Sequence, residues 1–156
     1  MPHLDAAYNL ARWLTRNSAE ADDIVQDAML RAFRAFDGFR GEAAKPWLLA
    51  IVRNCHLNMM GQKKRQGAVP LPENDSLPDA DPTPEGRIMA ADDGRRLNTA
   101  LAKLPEEFRE VVVLRELEEM SYREIADVTG APIGTVMSRL ARGRALLRVE
   151  LAGDKI

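Results

Sequence analysis

The stretch QGAVPLPENDSLPDADPTPEG, residues 66–86, holds five of the chain's nine prolines, five acids and no base. Proline removes a backbone donor, and a run this poor in apolar side chains has little to bury. It is expected to be an extended, acidic linker. It therefore divides the 156 residues into two blocks of roughly 65 to 70 residues, small but able to fold. No repeat relates the two blocks.

Both blocks favour helix. Ala, Leu, Arg, Glu and Met dominate, and aromatics make up 5%. A hydrophobic content of 46% suffices for cores. The single cysteine, Cys55, excludes an internal disulfide framework and a multi-cysteine metal site, and fits a reducing compartment. The N-terminus lacks an apolar signal core, and no stretch approaches the roughly 20 apolar residues of a membrane span. The expectation is a soluble, cytoplasmic, all-α protein: two small helical domains joined by an acidic Pro-rich linker.

The first block reads as three helices. Leu4, Ala7, Ala11 and Leu14 recur at helical spacing. Ser18 can cap a second helix, whose early acids suit its positive end. On that helix Val25, Ala28, Met29, Ala32 and Phe36 form one apolar stripe, with Asp23, Asp27, Leu30 and Arg34 opposite. The two glycines of DGFRGEAA break it. Pro46 suits a first helical turn. The helix that follows, to about Arg65, is expected to bury Leu48, Ile51, Val52, Cys55 and Met59. It would turn Arg53, Asn54, Leu57 and Asn58 outward.

The second block has a helix start at Leu104-Pro105 and then SYREIADVTGAPIGTVMSRLARGR. Ser121 and Glu124 have the spacing of a capping box, and Gly130 suits the left-handed residue after a helix. Ala131-Pro132 leave only a brief turn. Two helices so joined are a helix-turn-helix. The second of them, from Ile133, carries four arginines and no acid up to Arg148, in a chain whose formal charge is −2. A helical wheel puts Ile133, Val136, Leu140 and Leu147 on the packed face. Thr135, Ser138 and Arg142 lie opposite, with Arg139 beside them. Gly134 lets the backbone approach a phosphate. Hydroxyls and guanidiniums bond phosphates and base edges, so this is a candidate recognition helix. Met137 and Arg144 fall toward the apolar side: Met137 as partial core, Arg144 snorkelling toward a phosphate.

With these motifs in place, the chain resembles an extracytoplasmic-function (ECF) sigma factor of the sigma-70 family, a specificity subunit of RNA polymerase. AEADDIVQDAMLRAFRAFDGFRGEAAKPWLLAIVRN is similar to the family's domain 2, and LAKLPEEFREVVVLRELEEMSYREIADVTGAPIGTVMSRLARGRALLR to its domain 4. The resemblance implies domain 2 over 1–65, a linker over 66–86 and domain 4 over 87–156. It implies docking on the polymerase β′ subunit through Asp23, Gln26, Asp27, Leu30 and Arg31. It implies reading and melting of the promoter −10 element by Phe39, Arg40, Arg53, Asn54 and Asn58. Gly134, Thr135, Ser138, Arg139 and Arg142 would read the −35 element as duplex. The linker would thread toward the polymerase cleft, and β would complete the contact with core enzyme. An anti-sigma factor is the implied inhibitor. Members of the family often carry Arg or Lys where Met137 stands, which removes one expected DNA contact. They often have several more residues of the first helix than MPHLDA supplies.

Other residues carry less. Adjacent Cys55 and His56 point to different helix faces, so a buried thiol beside a surface imidazole is expected rather than a metal site. His3 is a solvated terminal residue. Trp47 is a core anchor or a base-stacking platform. No catalytic constellation or phosphate loop is present, so neither enzyme activity nor a cofactor is expected. Two other readings stay open: a sigma mimic that sequesters an anti-sigma factor, and a stand-alone helix-turn-helix regulator.

Overall fold

A computed structural model of the chain describes residues 3–35, 44–65 and 94–153. All regular elements among the described residues are helical. Three belong to the first block: α1 (Leu4–Thr15), α2 (Ser18–Ala35) and α3 (Ala44–Arg65). Residues 94–102 form α4. Then come α5 (Glu106–Val112), a π-helical turn (Val113–Leu117), α6 (Tyr122–Thr129) and α7 (Ile133–Gly153). No described helix is long and apolar enough to cross a membrane.

In the first block α1, α2 and α3 pack on one another. The expected stripes are largely those observed. Ala7, Leu10, Ala11 and Leu14 of α1 meet Ala21, Ile24, Val25, Ala28 and Ala32 of α2, all buried. The many alanines let the helix axes lie close. Leu4 is exposed at the first turn. Arg16 closes α1 in the left-handed region, φ 56°, and its N–H reaches the Arg12 carbonyl at 2.7 Å. The acceptor that starts α2 is Asn17 rather than the expected Ser18: its side-chain oxygen takes the Glu20 N–H at 3.0 Å. Phe36 and the DGFRGEA stretch lie outside the described residues.

Helix α3 departs from its expected single packed face. Leu48, Val52 and Cys55 are buried, and Ile51 and Met59 are half-buried, as the pattern requires. But Leu49 and His56 are also buried. The reason is that α3 packs against α1 and α2 on one side and meets the second block on the other, through α6 and through Glu106 and Glu110 of α5, which engage His56 and Arg53. His56 is thus an interior imidazole, not the surface one that the sequence suggests. Trp47 packs half-buried against the hydrophobic cluster, the core-anchor alternative.

The second block is built on the run Val111–Leu114, four buried apolar residues in succession. The buried Arg109 donates to the carbonyls of Ala102 and Leu104 at 3.3 Å each, tying α5 to the end of α4. At the π turn the Glu118 N–H reaches the Val113 carbonyl at 3.1 Å, and Glu119 reverses the chain at φ 56°. α6 then begins with the expected capping box. The Glu124 N–H reaches Ser121 Oγ at 3.1 Å, and the Glu124 carboxylate takes the Ser121 N–H at 2.9 Å. Gly130 ends α6 at φ 74°, where an L side chain would be strained. The two blocks share one buried cluster, with α1 against α5 and α3 against α6.

Candidate nucleic-acid interface

The line of α7 that faces the interior runs through Val136, Leu140 and Gly143, all buried, and on to half-buried Leu147. Gly143 sets this line. A Cβ there would lie 2.7 Å from Val112 Cγ2 and 3.3 Å from the Phe108 carbonyl oxygen. The helix comes that close to α5 only because position 143 has no side chain. Two expectations fail on this helix. Ile133, assigned to the packed face, is 41% exposed, and Met137, expected as partial core, is 50% exposed. The middle of the outward face holds small residues: Gly134, Ser138, Ala141 and Ala145, all exposed. Met137 borders them on one side, Thr135 and Arg142 on the other.

The polar members differ in their engagements. Ser138 Oγ donates to the Gly134 carbonyl at 3.0 Å, leaving its oxygen free to accept. Thr135 and Arg139 are half-buried. The Arg142 guanidinium sits 5.7 Å from the centre of the Phe108 ring, which steadies an exposed side chain. Arg144 does not snorkel toward an open phosphate site. It pairs with Glu116 at 2.7 Å, and that hydrogen bond raises its pKa.

On α3, Asn54 and Asn58 face solvent as expected. Arg53 does not. Its Nε donates to the Glu110 carboxylate of α5. Burial pushes Glu110 above the ordinary carboxylate range, against the opposing effect of Arg53. Nearby, His56 Nε2 lies 2.9 Å from Glu106 Oε1, while His56 Nδ1 is buried without a partner. This bond holds Glu106 below its ordinary value. Glu118 links the blocks a third time. Its carboxylate takes Asn9 Nδ2 at 2.7 Å, and its carbonyl takes Lys45 Nζ at 2.8 Å. Phe39 and Arg40 lie outside the described residues.

On α2, Asp23, Gln26, Leu30 and Arg31 are exposed, and Asp27 is half-buried. Asp27 and Arg31 pair at 3.1 Å one turn apart. Burial, with the Asp27 charge adding to it, pushes the Cys55 thiol up to about 11, so it stays protonated at neutral pH.

Residues 1–66 match the family model of Sigma-70 region 2, and residues 94–147 that of Sigma-70, region 4. The ECF RNA polymerase sigma-E factor of Haemophilus influenzae is 33% identical over 150 residues, 88% of this chain and 77% of that protein. The chain belongs to the ECF sigma factors. The ECF sigma factor SigE of Mycolicibacterium smegmatis is 39% identical over 151 residues. That match takes in 96% of this chain and 59% of the mycobacterial protein's length. Among solved structures, the sigma factor RpoE of Bartonella quintana, in complex with the anti-sigma factor NepR, is similar with a TM-score of 0.77 and 29% identity. The likeness covers 97% of this chain and 93% of that one. Sigma factors are DNA-binding transcription regulators, not enzymes.

Within this sigma factor the five candidate residues of α7 share one helix and one side of the molecule, although Arg139 sits at its edge. The candidate residues of α2 likewise form one outward face. The −10 candidates separate: Asn54 and Asn58 are free on the surface, whereas Arg53 is turned toward the second block. The sequence reading passed over Phe33. It is 84% exposed beside Leu30, itself 59% exposed. Its signal was present, since position 33 is out of phase with the stripe Val25–Met29–Ala32.

Proposed function

We propose that the chain directs core RNA polymerase to promoters by dividing the work between its two blocks. In this reading residues 1–65 dock on the β′ subunit and read the −10 element, 66–86 form the spacer, and 87–156 read the −35 element and complete the contact with β. The docking face is Asp23, Gln26, Asp27, Leu30 and Arg31, enlarged by Phe33. Two large apolar side chains left in water beside paired charges are what a protein partner would cover. Phe39, Arg40, Arg53, Asn54 and Asn58 would take the melted −10 strand. Gly134, Thr135, Ser138, Arg139 and Arg142 would take the −35 duplex.

The observation that carries the reading is the capped α6–Gly130–α7 unit, whose outward face combines small residues, hydroxyls and arginines. Small residues at the middle let a helix sit deep in a major groove, and its N-terminal residues then meet base edges. The acidic linker and negative net charge hold down affinity for free DNA. The compact arrangement has to open for both elements to be read together. The elements lie about 25 base pairs apart, roughly 85 Å of duplex at 3.4 Å per pair. Helices in van der Waals contact cannot span that distance. An anti-sigma factor that holds the compact arrangement would be the inhibitor, and the chain would act in the cytoplasm. RNA synthesis itself belongs to the polymerase.

The test is reconstitution. Added to core polymerase, the purified chain should confer initiation at specific promoters. Binding to DNA without core enzyme, and no initiation with it, would instead mark a stand-alone regulator.

A further inference from the structure

We propose that Met137 reads a thymine methyl group in the −35 element, so that this sigma factor selects T where a basic residue at the same place would select G. The inference rests on the assignment of α7 to the −35 duplex and adds to it a base preference. Met137 lies one turn into α7 and is 50% exposed. It is not held by the core, whose line passes through Val136, Leu140 and Gly143. It borders the small, exposed residues Gly134 and Ala141 near the middle of the outward face, so nothing large stands between it and a groove that receives the helix.

The chemistry of that flank is apolar. Ile133, one turn earlier, is 41% exposed, and Ala141, one turn later, is exposed. Together with Met137 they form a strip along one edge of the face, while Thr135 and Arg142 form the polar edge. Among base edges in the major groove, thymine presents the C5-methyl group, whereas G, A and C present donors and acceptors to which a thioether, only a weak acceptor, offers little. An unbranched, polarizable side chain with three rotatable bonds adapts to such a small target. The absence of any acid on α7 before Glu150 favours DNA over a basic protein surface as the occupant. Of the three, Met137 has the longest side chain and stands a full turn inside α7, whereas Ala141 is short and Ile133 is the first residue of the helix. Met137 is thus the strip residue placed to meet a base.

The measurement uses reconstituted holoenzyme on a promoter it initiates from. Each −35 thymine is replaced in turn by deoxyuridine, which keeps the O4 acceptor and lacks only the methyl. The protein is unchanged in this arm, so folding does not enter. One position should lose about three- to fivefold in binding, the scale of one buried methyl. The Met137→Ala holoenzyme should be insensitive to the same replacement. Met137→Arg should shift preference at that base pair from T toward G. The proposal is overturned if no −35 position responds to the methyl, or if Met137→Ala responds as fully as the parent. A methyl-insensitive holoenzyme whose Met137→Arg form keeps the parent's preference would place Met137 against a protein partner instead. Such a result leaves promoter-specific initiation intact. Loss of specific initiation in the parent itself would sink the sigma reading as well.

Discussion

Arg53 of α3 and Glu110 of α5 form an ion pair that joins the two halves of the molecule. The Glu110 side chain is 6% exposed and that of Arg53 20%. The arginine proposed to face the −10 strand is therefore occupied while the blocks are together, and freeing it requires that they part. Breaking a buried pair from one side costs roughly 3–5 kcal/mol, because the other charge is left without a partner. Glu110→Arg should approach the lower end, given the residual exposure of Arg53, and open the molecule. Small-angle scattering should show a larger radius of gyration. Glu110→Gln should do less, since its amide oxygen can still accept from Arg53 and no like charge is placed beside it. Equal compactness of Glu110→Arg and the parent would show that the pair does not hold the blocks together.

Glu106 gives this junction a pH dependence. The His56 N–H holds its pKa down, with Arg109 and Arg53 contributing smaller effects. A depressed carboxylate stabilises above its unfolded-state pKa, and the contribution disappears as pH falls through the folded-state value. Glu110, raised by burial, works in the opposite sense and stabilises as it becomes protonated. Glu106→Gln should isolate the first effect. At neutral pH the variant should be less stable by about 0.5 kcal/mol, the low end for one hydrogen bond because Glu106 is half exposed. The gap should close on acidification. Urea unfolding at neutral pH and near pH 3 measures it, and a gap that widens in acid would reverse the assignment.

At Gly143 the packing of α7 on α5 can be tested directly. In an ordinary helix interior Gly→Ala gains up to about 1 kcal/mol. Here the new Cβ would fall 2.7 Å from Val112 Cγ2, a methyl on a stiff, fully buried side chain. Overpacking of this kind costs roughly 1–3 kcal/mol. Gly143→Ala should therefore lower stability by about 1 kcal/mol, seen as a lower denaturation midpoint. A stabilised variant would mean that α7 stands farther from α5.

These sites separate what the sequence displays from what it hides. The α6–α7 unit is legible because its signals are local: Ser121 and Glu124 are three residues apart, and Gly130 follows at once. The stripe of α2 is legible for the same reason. The second packed face of α3 is not. Arg53 and His56 look like solvent residues on a wheel with one apolar side, and their partners lie 57 and 50 residues further along. Pairings at that range leave no periodic trace. Gly143 misleads differently, reading as a weak helix residue while it fixes which side of α7 is buried.

Phe33 tests the docking face. At 84% exposed it contributes little to the fold, so Phe33→Ala should change stability by no more than about 0.5 kcal/mol. An aromatic anchor at a protein interface contributes on the order of 2 kcal/mol or more. Affinity for core polymerase should accordingly fall by more than about tenfold. It is a cleaner probe than Asp27, which is half-buried and already paired with Arg31. Titration of labelled core enzyme at constant salt measures the change. Unaltered affinity would move the docking face away from this part of α2.

Arg142 and Arg148 distinguish two ways in which α7 can lie on DNA. Both are exposed. Arg142 borders the small residues at the middle of the face, and its guanidinium is steadied over the Phe108 ring. Arg148 lies more than a turn and a half farther along, where a helix entering by its N-terminal end has left the bases. If Arg142 contacts phosphate, Arg142→Ala should weaken holoenzyme binding about equally on all promoters and reduce the salt slope by about 1. If it contacts a base, the loss should be roughly 1–3 kcal/mol and confined to promoters with the matching −35 element. Arg148→Ala should leave both the affinity and the slope near those of the parent. Binding to promoters with varied −35 elements at two salt concentrations separates these outcomes. A larger loss for Arg148→Ala than for Arg142→Ala would mean that the C-terminal half of α7 meets the duplex, and the assignment of Gly134, Thr135 and Ser138 to base reading would fall with it.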